Sequence, residues 1–157
     1  MAQTTNINFL SPLNYKLVVG KIPNIEYFCT GVTVPSISIE GESPIFSTPT
    51  RDIRAYSNKL HFTTLEITTI IDENLENYKE IYDWIHDIVF TDDNEPLKKS
   101  SDITLIIMSS KNNSVKKIRF TNAFPVSIGG LEFTSINESV DYITSNISFE
   151  FTDMILE

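Results

Sequence analysis

The polar and apolar positions of this chain alternate in twos far more often than they advance in helical steps. In "NISFEFTDM", Ile147, Phe149 and Phe151 alternate with Ser148, Glu150 and Thr152. A period of two with one polar face predicts a half-buried β-strand. "LNYKLVV" repeats the pattern, with Leu13, Tyr15, Leu17 and Val19 on one side. "KLHFTTLEITTII" opens with Leu60 and Phe62 on one face, then moves to Leu65, Ile67, Thr69 and Ile71 on the other. That change of parity predicts a bulge near Thr63 and Thr64, or two strand segments. "DITLIIMSS" is apolar on both sides, as a central strand covered on both faces would be. "VKKIRF" follows the turn-rich "SKNNS", which reads as a hairpin loop. "IEYFCTGVTVPSISI" is β-rich, with Pro35 suited to a strand edge, start or bulge.

One stretch departs from this rhythm. "DENLENYKEIYDWIHDI" places Leu75, Tyr78, Ile81, Tyr82, Ile85, Ile88 and the following Val89 on one broad arc at 3.6-residue spacing. It predicts a single helix over about 74–90, packing through that arc. Glu76, Glu80, Asp83 and Asp87 fall on the opposite side, with Trp84 at their edge and His86 at the other border. Asp72 or Asn74 can cap the first turn. Strands that do not alternate with helices argue against a parallel α/β sheet. The expected fold is mainly β: an antiparallel barrel or sandwich with one flanking helix.

Residues 40 to 59, "EGESPIFSTPTRDIRAYSNK", fit neither pattern. Long loops inside compact domains are uncommon, and Ile45, Phe46, Ile53 and Tyr56 are too apolar for plain disorder. Two readings account for the stretch. It is an extended hairpin arm, about 42–58, that finds its partner on another subunit, or a flap over the end of its own barrel.

Composition narrows the function classes. A chain of 157 residues fits one domain with a real core. No stretch reaches the length of a membrane-spanning helix, and the N-terminus lacks the basic-then-apolar order of a signal peptide. The N-x-S/T triplets at Asn112, Asn137 and Asn146 carry no meaning without secretion. The lone Cys29 allows no internal disulfide and reads as a small buried apolar residue. The cytoplasm, or an assembly built there, is the expected compartment. A net charge of −9 argues against gripping nucleic acid by neutralising phosphates. It is compatible with simple solubility, or with a surface that nucleic acid slides past.

Candidate chemistry is sparse. A carboxylate stripe on a helix can hold a hard cation loosely, but there is no EF-hand order and no H-E-x-x-H. Zinc needs several convergent nitrogen or sulfur ligands, and His61 and His86 lie on different elements. No G-x-S-x-G elbow occurs, and the "IGG" at 128–130 lacks the rest of a phosphate loop. The carboxylate pair of a hydrolase comes together only in the fold, and nothing in the linear order points to one. The expectation is a non-enzyme without metal or cofactor. A small-molecule-binding β-barrel stands as an alternative, distinguished by a convergent polar pocket.

Several stretches, taken in order, resemble one family. "SPLNYKLVVGKIPNIEYFCTGVTVPSISI" is a strand pair closing on a V-x-V-P-x-I pattern. "SPIFSTPTRDIRAYSNK" leads into "HFTTLEITTIIDENLENYKEIYDWI", a strand, an acidic cap and a helix with a Tyr82-to-Trp84 step. "NAFPVSIGGLEFTSINES" joins a Phe-Pro-Val turn and a Gly pair to an Asn-Glu turn, and "SNISFEFTDMIL" closes the chain. Over most of residues 12 to 155 the chain resembles the tail tube proteins of contractile-tailed bacteriophages. That family shares its fold with the secreted tube protein of type VI secretion.

The resemblance implies a single domain over 1–157, with 1–11 as a lead. It implies hexameric rings stacked into a tube within a contractile sheath, built on a baseplate hub or tube initiator. It places the assembly in the virion tail, with phage DNA passing through the lumen unbound and no membrane insertion. The arm would lock ring to ring, through Pro44, Phe46, Arg51, Ile53, Arg54 and Tyr56. Glu66, Glu132 and Glu150, at alternating strand positions, are candidates for acids that face the lumen and repel phosphate. Tube initiators and terminators share this domain, so the repeated subunit and a ring at one end both remain open.

Overall fold

A computed structural model describes residues 10–41, 45–90, 97–135 and 142–157. Pro44, the Asn137–Glu138 turn and most of the N-terminal lead lie outside the described residues. The elements run β1 (Tyr15–Val19), α1 (Ile25–Phe28), β2 (Cys29–Thr33), β3 (Ile37–Glu40), β4 (Ile45–Ser47), β5 (Asp52–Arg54), β6 (Lys59–Phe62) and β7 (Leu65–Ile70). They continue with α2 (Glu76–Phe90), β8 (Ser101–Met108), β9 (Ser114–Ile128), β10 (Thr144–Glu150) and β11 (Asp153–Leu156). The fold is mainly β and antiparallel, flanked by α2, as the alternation predicts.

The body is one sheet in the order β1-β8-β9-β10-β7-β2, with β11 also on β9. Strand β9 is its hinge. Its first half pairs with β8 and β11, and its second half with β10. Asn122 sits between the halves with φ 50°, its N–H donating to the Asp102 carboxylate at 3.1 Å. A strand shared by two half-sheets folds the sheet onto itself, so the inward alternating positions converge. Leu17, Ile103 and Phe120 from one half meet Leu65, Ile67, Ile147 and Phe149 from the other, all buried. The closing alternation is therefore two strands. It breaks at Phe151–Thr152, where the chain crosses the corner from β10 to β11.

One further boundary differs from expectation, and at another the structure chooses between the two readings. The run read as β-rich opens with the helical turn α1, because Pro23 and Asn24 start a tight turn: Glu26 N–H donates to Pro23 O and Tyr27 N–H to Asn24 O, both at 3.2 Å. The turn buries Ile25 between β1 and β2, whose outer edges form no ladder with each other. The parity change at Thr63 and Thr64 separates two strand segments, β6 and β7, in different sheets.

The helix packs through a rotated face. Asn77, Ile81 and Trp84 are buried, with Tyr78, Ile85 and Ile88 half-buried beside them. Trp84, expected at the acidic edge, is 3% exposed, whereas Tyr82, expected inside, is 54% exposed. The reason is polar. Trp84 Nε1 donates to Lys99 O at 2.7 Å and its ring meets Phe149 at 6.0 Å, so the indole is both satisfied and packed. Asn77 Nδ2 donates to Ile70 O at 2.7 Å, fixing the first turn against the end of β7. Leu75 precedes the helix at φ 58° and lies off the arc, as does the exposed Val89. Asp72 is the cap: its Oδ1 accepts the Asn77 N–H at 3.3 Å.

Candidate functional site

Among the described residues no three His, Cys, Asp or Glu side chains come together as a metal site. His61 is on β6 and His86 on α2. Cys29 is half-buried in the cleft between β1 and β2, about 460 Å³ in volume and lined also by Leu13, Tyr15 and Met108. Burial pushes its thiol pKa up, against the opposing hydrogen bonds to Gly31 and Tyr15. A thiol held protonated is a poor nucleophile. Burial likewise raises the Tyr15 phenol, with Cys29 adding to the shift.

Two surfaces stand out instead. The first is the outward face of β2, β7, β10 and the second half of β9. Registers Thr33↔Glu66, Glu66↔Ser148 and Thr68↔Asn146 put small polar groups side by side across it. Thr68 Oγ1 donates to Asn146 Oδ1 at 2.9 Å, and Ser148 Oγ to Glu66 Oε1 at 3.3 Å. Not one lysine or arginine occurs in these strand segments. The face brings Glu66 and Glu150 together. Glu132 lies off it, exposed in the stretch after β9.

The second surface is an arm. Strands β3 and β6 form a two-stranded ribbon, extended by the separate hairpin β4–β5. On the ribbon, Ile37↔Phe62 and Ile39↔Leu60 share one face, with Ser38↔His61 and Glu40↔Lys59 on the other. On the hairpin, Phe46 opposes Ile53, and Ile45 opposes Arg54. Thr48 N–H and Oγ1 both donate to Arg51 O, closing the turn. Phe46 is 58% exposed and Tyr56 87%; Arg51, Ile53 and Arg54 are also exposed. The joint between ribbon and hairpin needs glycine. Gly41 has φ +124°, and a Cβ there would lie 2.4 Å from Ser57 Oγ, which donates to Glu40 O. The arm meets the body at its base, where Phe62 packs on Phe151 at 5.4 Å.

This arrangement, a folded-over antiparallel sheet with a flanking helix and a projecting ribbon, recurs in solved structures. A chain of the sheath–tube complex of an extracellular contractile injection system superposes with a TM-score of 0.69 at 16% identity, over 99% of each chain. The tube-terminating cap of the anti-feeding prophage gives 0.72 at 12%, over 99% of this chain and 95% of that one. The Hcp1 protein of Flavobacterium johnsoniae gives 0.53 at 15%, over 94% of each. The chain has the fold of contractile-system tube proteins. No family model matches the chain, and neither does any curated protein.

Of the residues singled out in the sequence, Phe46, Arg51, Ile53, Arg54 and Tyr56 cluster on this arm. Glu66 and Glu150 share the polar face. Sequence reasoning missed Trp84 and Asn77 as packing residues and Gly41 as the joint. A lone glycine at the start of a long stretch between strand-like runs is the signal for the last.

Proposed function

We propose that this chain is the repeated subunit of the inner tube of a contractile phage tail. Six copies join edge to edge into a ring, and rings stack into a hollow tube. The arm locks each ring to the next. The tube sits inside a contractile sheath on a baseplate hub, and DNA passes along the lumen when the sheath contracts. The subunit needs no cofactor and performs no chemistry. It assembles in the host cytoplasm and ends in the virion.

The observation that carries this reading is an apolar arm left uncovered by its own body. Exposed apolar surface on a two-stranded ribbon costs free energy in water and is removed by contact with another copy. Among the described residues the outer edges of β1 and β2 pair with no strand, which supports the same reading, since ring closure pairs free edges. The cation-free polar face suits the lumen. It offers phosphate no counter-charge, and Glu66 and Glu150 repel it.

A second reading, a ring that closes the tube, draws on the TM-score of 0.72 to the anti-feeding prophage cap. Electron microscopy of the purified chain at high concentration separates the two. Hollow tubes are the expected outcome, with the subunit count read from end views. Single rings that never stack identify a terminal ring, and discrete monomers with a ligand in the β1–β2 cleft would sink the tube reading.

A further inference from the structure

Two short segments of the chain carry charge of opposite sign. Residues 72 to 87 hold six acids, Asp72, Glu73, Glu76, Glu80, Asp83 and Asp87, against the single Lys79. Residues 109 to 123 hold Lys111, Lys116, Lys117 and Arg119 and no acid. Together these two short segments contain a third of the chain's charged residues, and they are separated in space; the acidic one is partly offset by Lys99 beside Asp87 and by Lys21 beside Trp84. Lys99 Nζ donates to the Asp87 main-chain oxygen at 2.5 Å just before β8 begins, so α2 borders the start of that strand. The β8–β9 hairpin lies at its far end, closed by Ser109 N–H donating to Asn113 O at 2.8 Å. The eight residues of β8 set the two poles about 26 Å apart at roughly 3.3 Å per residue.

Each pole also carries apolar surface matched to the other. Beside Trp84 on α2, Glu80, Asp83 and Asp87 line a groove of about 300 Å³, whose other wall is Lys21 and Ile22, with Lys21 Nζ 5.0 Å from the Trp84 ring centroid. Next to them on the helix runs an exposed aromatic ladder, Tyr82–His86 at 6.0 Å and His86–Phe90 at 4.3 Å between ring centroids. Carboxylates next to aromatic faces are the surroundings that lysine side chains favour. At the hairpin, Val115 is exposed between the lysines, and Val115, Lys117 and Arg119 follow the outward alternation of β9. Arg119 is paired with Glu157 at 3.0 Å. Lys111, Lys116 and Lys117 have no carboxylate within ion-pair distance among the described residues.

We propose that the β8–β9 hairpin of one copy docks on the outward face of α2 in a second copy. The docked hairpin sets Lys111 and Lys117 against the carboxylates and Val115 against the aromatic ladder. The contact is heterologous: the surface used on one copy differs from that used on the next, so it propagates instead of closing on a dimer. It rests on the self-assembly proposed above and adds the surfaces and their chemistry. Its electrostatic part speeds encounter and fixes register, and it weakens with salt.

The test is self-association of the full chain by sedimentation velocity and light scattering. Salt is raised from about 0.1 to 1 M NaCl, where the screening length falls from about 10 to about 3 Å. Three variants are compared with the unmodified chain: Lys111→Glu with Lys117→Glu, Glu76→Lys with Asp83→Lys, and all four together. All replaced side chains are exposed, and thermal melts verify that the variants fold. Each two-residue reversal is expected to raise the concentration for half-assembly at least about tenfold, and high salt to do the same to the unmodified chain. The four-residue swap is expected to restore assembly. If the unmodified chain assembles and neither reversal nor salt matters, this contact is wrong and the tube reading stands. Loss in both reversals without restoration in the swap overturns the pairing of these two faces. A chain that never associates overturns both.

Discussion

Ile67 and Ile39 are the same side chain on antiparallel strands of the same chain, yet Ile67 is fully buried and Ile39 is 64% exposed. The difference lies in neighbours. Strand β7 has β2 on one side and β10 on the other, and its inner face meets the core beneath α2. Among the described residues strand β3 pairs only with β6, and beyond the Phe62–Phe151 contact at the base the apolar side of this ribbon, Ile37, Ile39 and Leu60, is exposed. A two-stranded ribbon alone is marginal in water, whereas a multistranded sheet with a covered face is stable. Body and arm thus share one amphipathic grammar and divide by where the covering layer comes from. The body supplies its own, and the arm's comes, under the function proposed above, from another copy.

The comparison breaks most severely in the body. Phe149→Ala removes a fully buried ring that packs against Trp84, and the expected loss is about 3–5 kcal/mol of unfolding free energy, checked by urea denaturation. A loss below about 1 kcal/mol would mean that the corner between the half-sheets is not the core. A smaller effect comes from pH. Cys29 and Tyr15 are held protonated by burial, so their folded pKa values lie above the unfolded ones. Their contribution is complete below the unfolded values. It declines as pH rises past the ordinary thiol value of 9.0 towards the higher folded value. Denaturant midpoints at successive alkaline pH should fall, and Cys29→Ala should flatten the decline. An unchanged slope would place the ionisation elsewhere. The smallest effect on stability belongs to the arm. Phe46→Ser with Ile53→Ser should shift unfolding by less than about 0.5 kcal/mol, as exposed positions do, while abolishing stacked tubes in electron micrographs. Tubes of normal length from that variant would show that the arm is not the lock.

How much of this was legible depends on how local the cause is. The period-two runs around Ile67 and Ile147 announced their strands, because alternation alone decides which face is buried. The SKNNS turn announced the β8–β9 hairpin because turn chemistry is equally local. The acidic helix was visible too, but its rotation was not. An amphipathic arc assigns Trp84 to the edge because it counts apolar residues. The fold places Trp84 inside because Lys99 O stands where the indole N–H can reach it. Glu66 and Glu150 could be named from their polar strand positions, but not as members of one face. That needed the register of β7 on β10, a pairing between segments nearly eighty residues apart in the chain.

The sequence by itself determined the β-rich class, the single long helix, the odd apolar arm and the excess of acid, since each follows from spacing or composition within a short window. Tertiary structure alone decided the corner in β9, the rotation of α2, the cation-free face and the separation of acidic and basic poles. These depend on which distant strands meet. That choice is set by the summed burial of many side chains and by buried hydrogen bonds that no local window contains.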